Sequence, residues 1–286
     1  MSDKAANGDS PSLEALALGA VDGDGDALSS LVERIQHPVY RLALRMLYHP
    51  ADAEDATQEI LIRIVTHLGS FRHDSAFSTW SHRIACNYLL TARRKRTARV
   101  EITFERCEAM IDASAGGPSP DSGGAPERAV LIKEMRIQCL QGLLLCLDRE
   151  HRIAFVLGEV LGVSSAAGAE ILGISSAAYR KRLSRARGSL HGFMKRNCGQ
   201  LDAGNRCHCA AQVPAAVRGG FLKPDRLLFA AHPVTDDGQE AARELVDDLD
   251  QLGLIGHLFR DQPNFAAPST LAPKIRSWGR PGEGAR

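Results

Sequence analysis

The sequence is poor in aromatic residues and in long apolar runs. Aromatic residues make up 5% of the 286 residues, and no apolar run approaches the roughly 18 to 20 residues that a membrane-spanning helix needs. The N-terminal stretch opens with acidic and small residues, without the basic start and apolar core of a secretory signal. The sequence therefore predicts a cytoplasmic protein without membrane insertion.

Net charge is also nearly absent, at +1 for the whole chain. Charge is nevertheless uneven along the sequence. Basic residues concentrate at 93–96 and 180–187, whereas 22–26 and 243–251 are acidic. The whole-chain charge therefore says little about partners, and the local patches say more.

The short motifs that accompany common enzyme chemistry are missing as well. The sequence contains no phosphate-cradling glycine loop, no HExxH and no nucleophile elbow. Its ten histidines are dispersed. We therefore predict that the chain is not an enzyme and has no small-molecule substrate.

Helical periodicity is what the sequence does contain. Residues 26–48 place apolar side chains at steps of three and four, which predicts an amphipathic helix that Pro38 bends locally. A second helix follows, which Asp52 can cap, and a third begins near Ser78.

The predicted fold class is all-α, with two helical domains joined by a flexible linker and followed by a partly helical extension. The linker is predicted because its Gly, Pro and Ser content leaves almost no large apolar residue to bury. The predicted divisions are 1–12, a disordered N-terminus; 13–106, the first domain; 107–128, the linker; 129–196, the second domain; and 197–286, the extension.

The second domain contains a helix-turn-helix pattern. A short helix, a tight turn from Gly173 to Ser175 and a second helix follow one another, and five cations fall within residues 180–187. In this arrangement the second helix enters the DNA major groove, where Arg pairs with guanine edges and Lys or Arg neutralises phosphates. The alternative is a solvated basic helix face.

The first domain places aromatic and basic residues together. Phe77 and Trp80 lie close in sequence to Arg83, Asn87 and the basic stretch at 93–96. Aromatic rings can stack on unpaired bases while neighbouring cations hold the phosphate backbone, which suits single-stranded nucleic acid. The alternative is that both rings are core residues.

Seven cysteines, an odd number scattered through the chain, suit reduced thiols better than a disulfide framework. Four residues at the start of the extension are candidate soft-metal ligands, although adjacent Cys-His-Cys is awkward for one tetrahedral centre. Thiol redox sensing and purely structural cysteines are the alternatives. The four candidates are Cys198, Cys207, His208 and Cys209.

Residues 52–96 resemble region two, and residues 147–190 resemble region four, of a bacterial RNA polymerase sigma factor of the short extracytoplasmic-function (ECF) type. The resemblance covers about residues 13–195 and implies a protein that binds core RNA polymerase, recognises a promoter and stabilises its open strands. It also implies promoter DNA and, as a further candidate, an anti-sigma factor as partners. A helix-turn-helix regulator that acts without polymerase is the alternative function.

The resemblance implies three groups of site residues. The residues expected to bind core polymerase are Asp55, Gln58 and Glu59. Promoter melting and binding of the −10 element fall to Phe71, Phe77, Trp80, Arg83, Asn87, Arg93, Arg94 and Arg96. Binding of the −35 element falls to Ser176, Arg180, Lys181, Arg182, Arg185 and Arg187.

The sequence departs from the family pattern in three places. Gly168 stands where a bulky aliphatic residue is usual, which costs ~1 kcal/mol relative to Ala and a core contact, so we expect the second domain to be marginal alone. Tyr179 stands where Val or a similar residue is common. The chain also continues beyond region four, and an acidic helix at 236–261 is expected to pack on another domain and to cover a basic DNA-binding surface.

Overall fold

The predicted all-α fold is confirmed. The computed structural model describes residues 11–92, 102–114, 126–230, 232–234 and 251–278, and within these ranges it contains no β-strand. None of the helices described is long and apolar enough to cross a bilayer. The helices are α1 (Leu13–Val21), α2 (Gly25–Leu47), α3 (Pro50–Thr66), α4 (Phe77–Thr91), α5 (Phe104–Ser114), α6 (Pro126–Cys146), α7 (Arg149–Phe155), α8 (Ser165–Leu172), α9 (Ser176–Asn197), α10 (Cys209–Arg218), α11 (Gln251–Arg260) and α12 (Leu271–Trp278).

The first four helices form an N-terminal bundle. Helix α2 continues through Pro38 and buries its apolar stripe, including Leu31 and Ile35, in the core. Helix α4 has no capping side chain next to it in sequence, and the Glu14 carboxylate of α1 instead accepts a hydrogen bond from Phe77 N at 3.0 Å. This bond holds the pKa of Glu14 below its ordinary value. Helix α1 therefore caps the helix that is predicted to contact DNA.

Part of the predicted linker is helical. Helix α5 includes the first residues of the 107–128 segment, and residues 115–125 lie outside the described residues. The rings of Phe104 and Phe193, which belong to α5 and α9, lie 5.4 Å apart, and Ile111 is buried. These apolar anchors precede the Gly- and Pro-rich composition on which the linker prediction rested.

The helix-turn-helix has the predicted local geometry. Gly173 ends α8 in the left-handed conformation with φ of 63°, which favours glycine. Ser175 caps α9 by accepting a hydrogen bond from Ala178 N at 3.2 Å. The expected loss of core packing at Gly168 does not occur, because the Tyr179 side chain occupies that space.

The two helical regions are docked on each other. The buried Arg152 of α7 donates hydrogen bonds to Met46 O at the end of α2 and to Leu144 O near the end of α6, both at 2.7 Å. The last carbonyl groups of a helix have no partner within it, so one guanidinium satisfies two helix ends and joins three helices. Arg149 adds a hydrogen bond to Leu90 O in α4 at 2.8 Å.

The extension is folded against both regions. Its first residues lead from α9 into α10, which packs on α6. Helix α11 packs beside α9 and a π-helical turn at Val156–Val160, whereas α12 packs on α2 and α3. Residues 236–250 of the predicted acidic helix lie outside the described residues, and its last part forms α11.

Glu134 anchors the extension to α6. Its fully buried carboxylate accepts hydrogen bonds from the backbone N–H groups of Leu228, Phe229 and Ala230 at 2.8, 3.0 and 2.6 Å. Gln138 Nε2 donates to the same carboxylate at 2.7 Å. Loss of this carboxylate would leave buried backbone amides without an acceptor, so the contact fixes the path of the extension.

Candidate nucleic-acid interface

Helix α9 presents a basic face to solvent. Arg180, Lys181 and Arg185 are exposed, and Ser176 is exposed at the first residue of the helix. Within the described residues, none of these three cations has a carboxylate within 4.0 Å. Exposed cations of this kind suit the neutralisation of phosphates and contacts with base edges.

Two other predicted contacts on α9 form ion pairs within the protein. Arg182 pairs with Glu150 of α7 at 2.8 Å. Arg187 Nε donates to Glu159 Oε1 at 2.8 Å, and the Glu159 side chain is only 11% exposed. These pairs hold α9 against α7 and the π-helical turn. A DNA contact by Arg182 or Arg187 would require its ion pair to break.

Three predicted aromatic residues form one cluster before and within α4. The ring centroids of Phe71 and Phe77 lie 5.2 Å apart in an edge-on arrangement, and those of Phe77 and Trp80 lie 5.4 Å apart. Phe77 is fully buried, so it is a core residue that supports the other two rings. Phe71 and Trp80 remain partly exposed.

An open pocket of about 340 Å³ lies beside Trp80, between α3 and α4. The Arg63 guanidinium lies 5.0 Å from the centroid of the Tyr88 ring. Aromatic rings, a cation and one side-chain amide around one opening suit a nucleotide, which combines a flat base with an anionic backbone. The lining residues are Arg63, His67, Ser70, Trp80, Ile84, Asn87, Tyr88 and Thr91.

Sequence analysis did not identify Arg63, His67 or Tyr88 as site residues. Arg63 and His67 are four positions apart, so they lie on the same side of α3 and its C-terminal end. This spacing does not show which other helix packs next to that side. Their role becomes visible only when α3 and α4 are packed together.

The other predicted −10 residues differ in their surroundings. Arg83 is 48% exposed, but its guanidinium donates to Glu170 O of α8 at 2.8 Å, so α8 covers part of α4. Asn87 is exposed and lines the pocket. Three predicted cations lie outside the described residues: Arg93, Arg94 and Arg96.

The predicted polymerase-binding residues lie on α3, away from its buried side. Asp55 and Glu59 are exposed, and Gln58 is half-buried. Asp55 and Glu59 are four residues apart, which places them next to each other on the helix surface. Together they form an acidic face that suits a basic protein partner.

The candidate metal ligands do not form a ready site. Cys198, Cys207 and Cys209 are partly buried, and His208 is exposed. In the part of the chain that the structure describes, no group of three or more His, Cys, Asp or Glu residues is arranged to hold a metal ion. Burial raises the pKa of Cys207 to about 12, which opposes formation of the thiolate that a metal requires.

Comparison with known proteins decides the family. Residues 31–99 match Sigma-70 region 2, and residues 137–190 match Sigma-70, region 4. The chain is 33% identical over 171 residues to the RNA polymerase sigma-H factor of Pseudomonas aeruginosa, covering 59% of this chain and 86% of that protein. The chain belongs to the sigma-70 family, in its ECF group. It is therefore a non-enzymatic transcription initiation factor.

Other ECF sigma factors show similar likeness. The ECF RNA polymerase sigma-E factor of Escherichia coli K12 is 34% identical over 172 residues, which cover 59% of this chain and 86% of that protein. The ECF RNA polymerase sigma factor SigW of Bacillus subtilis is 30% identical over 176 residues, which cover 59% of this chain and 89% of that protein. The family matches end at residue 190, before the extension of this sigma factor.

Two solved structures show weak overall likeness. CnrH in complex with the cytosolic domain of CnrY aligns with a TM-score of 0.44 at 23% identity, covering 63% of this chain and 95% of that chain. The sigma factor RpoE in complex with the anti-sigma factor NepR from Bartonella quintana aligns with a TM-score of 0.40 at 21% identity, covering 57% of this chain and 94% of that chain.

Proposed function

We propose that this sigma factor binds core RNA polymerase through the acidic face of α3, contacts the −35 element through α9 and holds an unpaired promoter base in the Trp80 pocket. The main support for this proposal is that Trp80, Arg63 and Tyr88 surround one opening. The domain division, with region two at 13–106 and region four at 129–196, stays a prediction. Nothing favours a regulator that acts without polymerase.

The Trp80 pocket stabilises separated strands by accepting a base that has left the helix stack. Unstacking costs a few kcal/mol, and stacking on an aromatic side chain returns roughly 1–3 kcal/mol per base. Phe71 and Phe77 already hold the Trp80 ring, so little side-chain entropy is lost on binding. Arg63 supplies positive charge for a neighbouring phosphate. The sigma factor therefore opens DNA without bond chemistry, and the polymerase performs synthesis.

Helix α9 supplies the second DNA contact. Arg180, Lys181 and Arg185 are exposed, which suits the approach of a duplex. Contacts to phosphate set the position of the helix, and contacts to base edges give sequence preference. We assign these three cations to DNA, and Arg182 and Arg187 to holding α9 in place.

Strand opening is tested with a promoter that carries 2-aminopurine at the upstream edge of the melted segment. With core polymerase and the wild-type chain, fluorescence should rise as this base unstacks. Trp80→Ala should reduce the rise at least tenfold while binding to core polymerase is unchanged. Phe221→Ala, which removes an aromatic ring that is 53% exposed outside the pocket, is the matched control. Equal opening by both variants would contradict the pocket assignment.

The extension, in our proposal, holds regions two and four together in a closed arrangement. On region four, the rings of Phe259 and Phe155 lie 5.2 Å apart, and Arg260 donates to Glu159 O at 2.7 Å. Other residues of the extension contact region two. Because one segment grips both regions, their separation requires its contacts to break.

The contacts with region two are both polar and apolar, and they involve α2. Tyr40 Oη lies 3.0 Å from His232 Nε2, and the two rings are stacked. Ala267 N donates to His37 Nδ1 at 2.9 Å. Three buried residues of α12 complete the contact: Leu271, Ala272 and Ile275.

The closed arrangement affects the proposed binding surfaces differently. Arg83 of α4 is engaged by Glu170 of α8, so full contact with the −10 element requires region four to move away. Asp55 and Glu59 are exposed in the same structure. Core polymerase can therefore bind the closed form, and promoter engagement then requires release.

Release is tested with Phe259→Ala in the full-length chain. The variant should bind a single-stranded −10 oligonucleotide several-fold more tightly than the wild type in the absence of polymerase, because α4 becomes accessible. Phe221→Ala again serves as the control and should leave this affinity unchanged. Equal affinity of Phe259→Ala and wild type, with Phe259→Ala shown to be folded by circular dichroism, would contradict closure by the extension.

Three further expectations stay predictions. They are a cytoplasmic location, an anti-sigma factor as partner, and a metal at the C-terminal cysteines. Metal analysis of the chain purified without chelators tests the last of these. Stoichiometric zinc or copper that is lost on replacing Cys198 and Cys207 by Ser would support it, and metal-free protein would contradict it.

A further inference from the structure

Six of the seven cysteines lie close together in the folded chain. A cavity of about 170 Å³ lies between α5, α6, the end of α9 and α10. It is lined by Cys107, Cys139, Cys198, Cys207 and Cys209. Cys146 contacts Cys107, and only Cys86 lies elsewhere, buried in the region two core. The six thiols come from distant parts of the sequence, so folding brings them together.

Within this cluster, Cys107 and Cys146 are in direct contact. Their Sγ atoms lie 3.8 Å apart. Cys107 belongs to α5, and Cys146 is the last residue of α6. A disulfide has an S–S distance of about 2.05 Å, so the two sulfur atoms need to approach by less than about 2 Å.

The contact makes the two thiols chemically unequal. The hydrogen bond with Cys146 holds the pKa of Cys107 below its ordinary value, and Arg106 lowers it further. The same contact, together with burial, raises the pKa of Cys146. The thiolate is the form of cysteine that attacks an oxidant. Cys107 is thus suited to react first, with Cys146 poised to resolve the product.

Other thiols of the cluster are protected by comparison. Burial raises the pKa of Cys139, Cys207 and Cys209 above the ordinary value. We therefore expect these three residues to react more slowly than Cys107, and they provide an internal comparison.

We propose that Cys107 and Cys146 form a redox site that a peroxide converts to a disulfide. The Cys107 thiolate attacks one peroxide oxygen and becomes a sulfenic acid, while the O–O bond breaks and hydroxide leaves. The Cys146 sulfur then attacks the Cys107 sulfur, forming the S–S bond and releasing the sulfenic oxygen as water. In total, two thiols lose two electrons and two protons, and one hydrogen peroxide becomes two water molecules.

The disulfide restricts the connection between the two sigma regions. A fully extended chain from Ala92, at the end of α4, to Pro126, at the start of α6, spans at most roughly 120 Å, whereas the stretch from Ala92 to Cys107 spans at most roughly 50 Å. With Cys107 bonded to Cys146, only the shorter stretch connects α4 to α6. Oxidation therefore limits how far region four can move from region two, and it favours the closed form.

Peptide mass spectrometry after brief treatment of the full-length chain with hydrogen peroxide tests the site without using transcription. The expected first product is a peptide pair that joins Cys107 to Cys146 and separates with dithiothreitol. Cys146→Ser should instead leave a sulfenic acid at Cys107 that a dimedone probe labels, and Cys107→Ser should abolish both products. Cys86→Ala, outside the cluster, is the control and should form the same Cys107–Cys146 product as wild type.

A different first disulfide, or a Cys107 that reacts no faster than Cys139, would overturn the proposal. The regulatory effect rests on the proposed function and has its own readout. Promoter-dependent transcription by the oxidised wild type should fall several-fold and recover with dithiothreitol, whereas Cys107→Ser should not respond. Equal output from oxidised and reduced wild type would refute the restriction of region four, while inactivity of both would instead count against the proposed sigma function.

Discussion

Gly168 and Tyr179 fit together as a pair inside the helix-turn-helix. A Cβ atom added to Gly168 would lie 2.4 Å from Tyr179 Cζ. The tyrosine is fully buried, and its hydroxyl donates to Ala154 O at 3.2 Å. The two departures from the family pattern are therefore one compensated change, in which a small residue in α8 makes room for a large one in α9.

This pair predicts strong coupling between substitutions. Gly168→Ala should destabilise the chain by about 1–3 kcal/mol through overpacking, although Ala favours a helix by ~1 kcal/mol. Tyr179→Val should destabilise it by about 2–4 kcal/mol through the cavity it leaves. The double variant should lose less than the sum of the two, as measured by urea unfolding.

The control for this cycle is Gly188→Ala. An added Cβ at Gly188, on the exposed side of α9, meets nothing within 4 Å. This variant should be stabilised by up to ~1 kcal/mol. Additive losses for Gly168→Ala and Tyr179→Val would show that the two residues do not compensate each other.

The basic face of α9 predicts two kinds of arginine variant. Arg180→Ala and Lys181→Ala should weaken binding to −35 DNA, and the slope of log K against log salt should fall by roughly 0.9 for each phosphate that is no longer neutralised. Arg182→Ala should mainly lower Tm, because Arg182 pairs with Glu150. Arg218→Ala, an exposed cation on α10, is the control. Identical salt slopes for Arg180→Ala and Arg218→Ala would remove Arg180 from the DNA contact.

The buried carboxylate of Glu134 predicts a local release of the extension. Glu134→Gln replaces an acceptor with a group whose amide opposes the backbone donors, and it should cost about 2–3 kcal/mol. Hydrogen exchange of the Leu228, Phe229 and Ala230 amides should accelerate, while exchange in α3 stays slow. Glu127→Gln, exposed on the same helix, should leave all these amides protected. Unchanged protection in Glu134→Gln would show that another contact holds the segment.

The contact between α1 and α4 predicts a pH dependence. The folded-state pKa of Glu14 is lowered by its hydrogen bond from Phe77 N, so its stabilisation is present above the unfolded pKa of about 4.3 and is lost as pH falls through the lower folded value. A carboxylate at a helix N-terminus contributes about 0.3–1 kcal/mol at low salt. Glu14→Gln should therefore lower Tm at pH 7, and the difference from wild type should disappear as pH falls below the folded-state pKa of Glu14. Asp225→Asn, at an exposed position, is the control, and a pH-independent difference for Glu14→Gln would contradict this account.

Local features of the fold were predictable because neighbouring residues determine them. The turn at Gly173 and the Ser175 cap follow from residues within one helical turn. The cap of α3 was predicted wrongly, because His49 rather than Asp52 accepts the capping hydrogen bond, from Ala51 N at 3.3 Å. His is outside the usual set of capping residues, so the pattern favoured the carboxylate.

Contacts between distant segments were not predictable in the same way. Glu134 is 94 residues from Leu228, and no local pattern links them. The same holds for Arg63 and Tyr88, which form one side of the pocket only after α3 and α4 pack. The family resemblance indicated Trp80 because a motif marks it. The docking of region four on α4 instead depends on contacts between distant segments, namely Arg83 with Glu170 O and Arg149 with Leu90 O.

The central claim is that this chain directs core RNA polymerase to a promoter. Run-off transcription tests it most directly, with purified core polymerase, a promoter template selected by binding to the full-length chain, and a scrambled template as control. The account predicts transcripts of defined length from the promoter only when the chain is present, and fewer with Trp80→Ala. Transcription no higher than that of core polymerase alone, from a chain that binds the template, would contradict it.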